Sequence, residues 1–273
     1  MSGPRRDTRG IVDARGLLSR VRFRRLAPAA ALAPYVEHYW LIDWDLTEPY
    51  VAQVVPHPSV NLVFQHQPPA AGFGELAGVE PELFTRKLAG TGRVCGVQFR
   101  PGGFRPFAPE APVSRWTGRY LPYREVLLVP PGAGTPEDIL GPATDRERAA
   151  ALDRFLLALA PAPDPKVARA TALAHRIRTD RTVRRVAELA RSEGVSVRSL
   201  QRLFADYVGV SPKWVILRYR VHEALEQATV AAEVDWARLA AELGYSDQAH
   251  LVRDFTATIG VPPTAYRSAT QDH

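Results

Sequence analysis

The stretch Leu189-Ala190-Arg191-Ser192-Glu193-Gly194-Val195-Ser196 returns fifty residues later as Leu239-Ala240-Ala241-Glu242-Leu243-Gly244-Tyr245-Ser246. Past the serine the offset grows by one, so Leu200, Phe204, Gly209 and Val210 reappear as Leu251, Phe255, Gly260 and Val261. In each copy a small alanine lets two helices approach closely and a glycine supplies the sharp turn. A Leu/Phe pair four residues apart then clamps the following helix onto a core. A duplicated helix, glycine turn and helix is the pattern of a chain that presents two helix-turn-helix units to DNA.

Around this repeat the sequence predicts helices over residues 166–178, 183–191, 197–208, 212–230, 236–243 and 247–259, with a last turn over 263–267. Ser196 and Ser246 are placed to cap the third and sixth of these, Gly209 and Gly260 to end them, and Ser211-Pro212 to start the fourth. A helix over 212–230 would span about 28 Å at ~1.5 Å per residue. That is close to the roughly 34 Å between successive major-groove faces on one side of B-DNA. A stiff connector of this length suits two probes in adjacent grooves.

Charge is distributed unevenly over the two copies. Residues 176–220 hold eleven Arg/Lys against four Asp/Glu, whereas 221–273 hold three against eight. The first unit is therefore expected to supply the stronger phosphate grip. The whole chain carries a formal charge of +6 with an isoelectric point near 9.7, which fits a polyanionic partner.

Upstream of the repeat the periodicity changes from helical to alternating. Val36, His38, Trp40, Ile42, Trp44 and Leu46 alternate with polar positions and predict a half-buried strand. Further strands are expected over 21–26, 50–55, 60–65, 83–88 and 93–100, separated by turn chemistry such as Gln67-Pro68-Pro69 and Ala89-Gly90-Thr91-Gly92. Thr144 and Glu147 form a capping box before a stripe of Leu152, Phe155, Leu156 and Leu159. That stripe reads either as a homodimer seam or as a face packed on its own domain. Pro161, Pro163 and Pro165 close the helix.

The expected fold is a two-domain α+β chain, with a mostly antiparallel β barrel or sandwich followed by an all-α domain with two helix-turn-helix motifs. Its divisions are a basic tail at 1–20, a β-rich sensor domain at 21–143, a helix and Pro-rich linker at 144–165, and the tandem motif at 166–268. Five arginines and no apolar core in the first twenty residues argue against a signal peptide, and no apolar run could cross a bilayer, so a cytoplasmic location is expected. Cys95 is the sole cysteine, which excludes an intrachain disulfide and any cysteine-based zinc cluster. No metal or cofactor is expected, since His38, His57 and His66 lack metal-ligand spacing.

The run Gly244-Tyr245-Ser246-Asp247-Gln248-Ala249-His250-Leu251-Val252-Arg253-Asp254-Phe255, closed by Gly260-Val261-Pro262-Pro263 and Tyr266, strongly resembles the signature of AraC/XylS-type transcriptional regulators. Ser199-Leu200-Gln201-Arg202-Leu203-Phe204 resembles the matching segment of their first motif, and the likeness runs over about residues 166–268. It implies a seven-helix DNA-binding domain that controls transcription, commonly as an activator touching RNA polymerase. Carried over by position, the base-reading face would be Arg198, Gln201 and Arg202 in one recognition helix, and Gln248, Ala249, His250 and Arg253 in the other. The chemistry agrees, because Arg pairs bidentately with guanine, Gln with adenine, and Ala packs on a thymine methyl. Residues 56–64 and 96–104 resemble the N-terminal domain of uncharacterised role found in one group of these regulators.

A small-molecule effector is the expected partner of the β-rich half. Arg100, followed by Gly102 and Gly103, is the candidate anion contact, because glycine amides opening a helix beside an arginine can hold a carboxylate or phosphate. Trp40 is the candidate aromatic contact within a set that also holds Trp44, Phe64, Phe99, Phe104 and Trp116 and that reads first as plain core. No catalytic residue is assigned. Two other classes compete with the regulator reading. One is a DNA-repair enzyme fused to such a module, which would need nucleophilic and zinc-binding cysteines that this chain lacks. The other is an architectural DNA-binding protein without an effector.

Overall fold

The computed structural model describes residues 10–230 and 233–266, so the first nine residues of the expected basic tail lie outside the described ones. Six strands form one sheet: β1 (Val21–Leu26), β2 (Val36–Val54), β3 (Asn61–His66), β4 (Phe73–Ala77), β5 (Phe84–Phe99) and β6 (Tyr120–Pro122). Their order is β1-β2-β5-β3-β4-β6 and every pair is antiparallel. The expected antiparallel β domain is thus a single sheet, curled so that Phe23 on one edge strand and Tyr120 on the other border the same cavity.

β2 and β5 each join two strands that the sequence divides. Asp45 pairs with Thr91 and Leu46 with Gly90, then Tyr50 pairs with Leu88. Thr47, Glu48 and Pro49 therefore bulge against Ala89 alone, which is how a proline sits in a long hairpin without costing a ladder bond. Gly90, at φ +56°, bends the strand where a turn was expected, and the chain continues.

Strand alternation sorts the aromatic set onto two faces. Tyr39, Leu41, Leu62, Phe64, Cys95, Val97 and Phe99 point to a buried core covered by α2 (Pro136–Leu140) and α3 (Asp145–Ala158), with Phe104 and Trp116 from the following loops. Trp40 and Trp44 point the other way. The Thr144/Glu147 capping box starts α3 as expected. Leu152, Phe155 and Leu156 are wholly buried in this core, so of the two readings of that stripe the structure takes packing on its own domain. Tyr39 donates to Asp153 of the same helix at 2.7 Å.

An ion-pair cluster fastens the start of α3 to the sheet. Arg148, only 1% exposed, reaches Asp43 at 3.1 Å and Asp145 at 3.1 Å, and Arg24 bonds both carboxylates. Arg93 joins through Asp43 at 2.6 Å. Burial opposes the charge on Asp43, but hydrogen bonds from Arg24 and Arg93 outweigh it and hold the carboxyl below its ordinary range. The Arg24 bond does the same for Asp145. Residues 14–18, expected as frayed tail, form α1 (Ala14–Leu18), capped by Asp13 and anchored by buried Leu17.

Beyond the proline segment come α4 (Pro165–Thr179), α5 (Val186–Ser192), α6 (Val197–Tyr207), α7 (Pro212–Val230), α8 (Trp236–Glu242) and α9 (Gln248–Ile259). They build two cores. Leu189, Ala190, Leu200 and Phe204 centre the first, and Leu239, Ala240, Leu251 and Phe255 the second. α7 gives Val215 and Ile216 to the first and Val221, Ala224, Leu225 and Ala228 to the second, so one continuous helix is built into both units. Among the described residues no helix is long and apolar enough to cross a membrane.

Candidate nucleic-acid interface

The turns of the two repeats match bond for bond. Val195 donates its backbone N–H to Ala190 at 3.0 Å, and Tyr245 donates to Ala240 at 2.9 Å. Gly194 and Gly244 take φ of +63° and +75°, the left-handed turn that a side chain disfavours. Gly209 and Gly260 end α6 and α9 at +96° and +90°. Ser196 caps α6 by accepting from the amide of Ser199 at 3.0 Å. In the second copy the cap is Asp247 and not Ser246, because the extra residue moves the helix start by one. The Asp247 carboxylate accepts from the His250 amide at 2.7 Å, and this bond holds its carboxyl below the usual range.

With the apolar faces of α6 and α9 turned inward, the opposite faces are free. Arg198, Gln201 and Arg202 are exposed on α6, and Gln248, Ala249 and Arg253 on α9. None of the three arginines forms an ion pair among the described residues. His250 differs from its neighbours in being only half-exposed. Its Nδ1 lies 3.2 Å from the Ser246 hydroxyl, and its ring meets Tyr245 edge-on at 5.1 Å.

Contacts that the sequence did not announce tie the two units together. Arg220 of α7 donates to the Arg184 carbonyl at 2.7 Å and lies over the Tyr245 ring at 5.4 Å. Arg184, just before α5, packs its aliphatic stem on Gly244 of the second turn. The second turn therefore rests on the entrance of the first motif, and α7 carries both.

The β domain grips the same helices. Thr117 donates to the carbonyl of Gly209 at 2.7 Å, at the end of α6. On α7, His222 Nε2 lies 3.1 Å from the Pro56 carbonyl, its ring stacks on His57 with centroids 4.3 Å apart, and buried Arg218 donates to Pro81. Burial pushes the Arg218 guanidinium down to about 10. Tyr266 donates to the carbonyl of Val12 in the segment preceding α1.

The curled face of the sheet holds a cavity of about 230 Å³. Of the four expected effector contacts, Trp40 borders it and Arg100, Gly102 and Gly103 do not. Arg100 is spent on Glu37 and on the Ala33 carbonyl at 2.8 Å. The Gly103 amide donates to Arg100 itself at 2.7 Å, and Gly102 closes against Ala170 of α4. The Arg100 guanidinium and the Gly103 amide thus serve the turn, Gly102 needs glycine for clearance against α4, and the structure places these three residues apart from Trp40.

Residues 24–122 match a family model described as a domain of unknown function (DUF6597), and residues 189–269 match a helix-turn-helix domain. The class is thus a DNA-binding transcription regulator. More particularly, the chain carries an AraC-type helix-turn-helix domain behind a domain of that uncharacterised family. No curated protein matches it. Among solved structures, ToxT from Vibrio cholerae O395 overlaps 93% of this chain and 100% of its own at 9% identity, with a TM-score of 0.42. Unsaturated fatty acid-bound ToxT from Vibrio cholerae strain SCE256 overlaps 84% and 94% at 10% identity, with a TM-score of 0.39. The C-terminal domain of AraT, a response regulator from Geobacillus stearothermophilus, overlaps 39% and 86% at 23% identity, with a TM-score of 0.35.

Proposed function

We propose that this regulator reads two adjacent major-groove segments of double-stranded DNA from one chain, α6 entering one and α9 the next. The observation that carries the reading is the duplicated motif itself: identical turn bonds, buried Leu/Phe clamps and outward arginines and glutamines on both helices, built onto the single helix α7. Arg202 and Arg253 occupy equivalent positions and are assigned base contacts, with Arg198, Gln201, Gln248 and Ala249 completing the reading face. His250 is assigned a lesser share, because Ser246 and Tyr245 already hold its ring. The unit acting on DNA is residues 166–268, and 21–143 is its sensor, with 144–165 between them. The outcome of binding is activation through RNA polymerase.

The sensor reading rests on the rim of the cavity. Pro56 and His57 border it and also touch His222 of α7, so a molecule that shifts the rim acts on the helix carrying both probes. Binding of full-length chain to selected operator DNA tests the reading. Arg202→Lys and Arg253→Lys should each cost about 1–3 kcal/mol against the cognate base while sparing nonspecific affinity. An architectural protein would lose almost nothing in that comparison.

A further inference from the structure

Two tryptophans on β2 face two glycines on β5 across the ladder: Trp40 opposite Gly96 and Trp44 opposite Gly92. A Cβ placed on Gly96 would lie 2.0, 2.2 and 2.5 Å from Cε2, Cζ2 and Nε1 of Trp40. On Gly92 it would lie 2.0, 2.4 and 2.6 Å from Cζ2, Cε2 and Cη2 of Trp44. Bonded ring atoms at such similar distances mean that the Cβ direction meets the face of each ring and not its edge. Each indole therefore lies flat over a glycine, pinned at its N–H by Asn61 at 3.4 Å or by the Ala89 carbonyl at 3.3 Å. The other face of the ring turns away from the sheet, toward the cavity. Trp44 is 6% exposed and closes one end, whereas Trp40 keeps more of its surface open.

The register fixes what surrounds Trp40 on this face. Toward Trp44 the neighbouring row runs Phe23, Ile42, Val94 and Gln65, Trp40's own row holds Arg25 on β1 and Val63 on β3, and on the opposite side stand His38, Gln98 and Asn61. The site thus has an apolar floor of Trp40, Ile42, Val63 and Val94, with Arg25 beside it, Gln65 at one end and the His38, Gln98 and Asn61 edge at the other. His38 is 8% exposed, and its Nε2 has no hydrogen-bond partner among the described residues. Burial, reinforced by the positive neighbours Arg25, His57 and Arg100, pushes this imidazole down to about 3, so it is neutral at physiological pH.

The charged lining is balanced and largely spent within the protein. Arg25 and Arg86 offset Glu75 and Glu80. Arg86 donates to Gln65 at 2.7 Å, Gln65 donates to Glu75 at 3.0 Å, and Tyr120 donates to Glu80 at 2.8 Å. An anion would therefore enter a site with no excess of positive charge. A sugar would need uncommitted donors and acceptors all round its rim, and the polar groups on the Val94 side, Gln65, Glu75 and Arg86, already bond one another. An apolar cavity of about 150 Å³ holds benzene, so 230 Å³ corresponds to about nine or ten heavy atoms.

We infer that this cavity binds a neutral, flat aromatic molecule the size of a fused two-ring system, stacked on Trp40 with a hydrogen-bonding edge toward Gln98 and His38. The inference deepens the sensor reading and rests on it only for its regulatory consequence. The test is calorimetric titration of the full-length protein with three probes: indole, benzoate and D-glucose. Indole binds, benzoate and glucose bind at least ten-fold more weakly, Trp40→Leu weakens indole at least ten-fold, and Trp40→Phe keeps affinity within a few-fold.

Gly96→Ala, which drives a methyl into the Trp40 ring, also weakens indole, and far-ultraviolet circular dichroism verifies that each variant is folded. The inference is overturned if indole fails to bind the wild-type protein, if benzoate or glucose binds more tightly, or if folded Trp40→Leu binds indole unchanged. Operator affinity is measured in parallel with and without indole. Indole binding that leaves operator affinity unmoved upholds the site and refutes the sensor reading, so the two can fail separately.

Discussion

Gly194 and Gly244 are equivalent in the repeat but not in their surroundings, and that difference makes a quantitative test. Both hold a left-handed φ, which costs an L-residue about 1–2 kcal/mol. Alanine recovers about 0.4–1 kcal/mol of this by restricting the unfolded chain, leaving a net loss of roughly 1 kcal/mol for Gly194→Ala, where nothing lies within 4 Å of the new methyl. At Gly244 the methyl would sit 2.7 Å from Cδ and 2.9 Å from Cγ and Nε of Arg184. The arginine stem must move off the turn, adding about 1 kcal/mol at the low end of overpacking costs because the neighbour is flexible. Gly244→Ala should therefore cost about 2 kcal/mol, twice the loss at Gly194. It should also loosen the second motif from the first, whereas Gly194→Asn should recover part of its loss because asparagine tolerates this conformation. Urea denaturation of each variant, followed by circular dichroism, measures the difference. Equal losses at the two glycines, or a larger loss at Gly194, would refute the claim that the second turn rests on Arg184.

Phe255→Ala should cost about 3–5 kcal/mol, because the ring is fully buried at the centre of the second core. Footprinting should then show the α9 segment lost and the α6 segment retained. Removing Arg202 should flatten the salt dependence of specific binding less than removing exposed Arg191 would if Arg191 meets a phosphate, since a base contact carries less of the counterion release than a phosphate contact; salt titrations of the two variants check this. The Asp43 and Asp145 carboxyls sit below their ordinary range, so the stability they lend is fully present above about pH 4 and is lost as pH falls through the lowered values. Asp43→Asn should flatten the acid limb of a thermal-melting profile recorded between pH 5 and 2.

The C-terminal half was legible because its signals are local. Glycine turns, caps and Leu/Phe pairs four residues apart lie within a dozen residues of one another, and each reappears in the structure, with one cap moved from Ser246 to Asp247. The β half was legible as strands but not in their lengths. Pro49 and Gly90 look like breakers in one dimension, and only the opposing strand shows that they share a bulge. Arg100 beside two glycines looked like an anion cradle, yet its charge was already committed to Glu37, sixty-three residues away in the chain. The cavity depends on register, which puts Trp40 over Gly96, and on the curl of the sheet; neither is written in local sequence. The cluster around Asp43 and Arg148 was missed for the same reason. His57, read only for metal-ligand spacing, gave no hint that it stacks on His222 of α7.

A hydroxyl-radical footprint of the full-length protein on its selected operator tests the central claim most directly. Two probes fixed to one 19-residue helix should protect two segments on the same face of the duplex, with centres about 10–10.5 base pairs apart. Protection of one segment only, or of two segments on opposite faces, would contradict it.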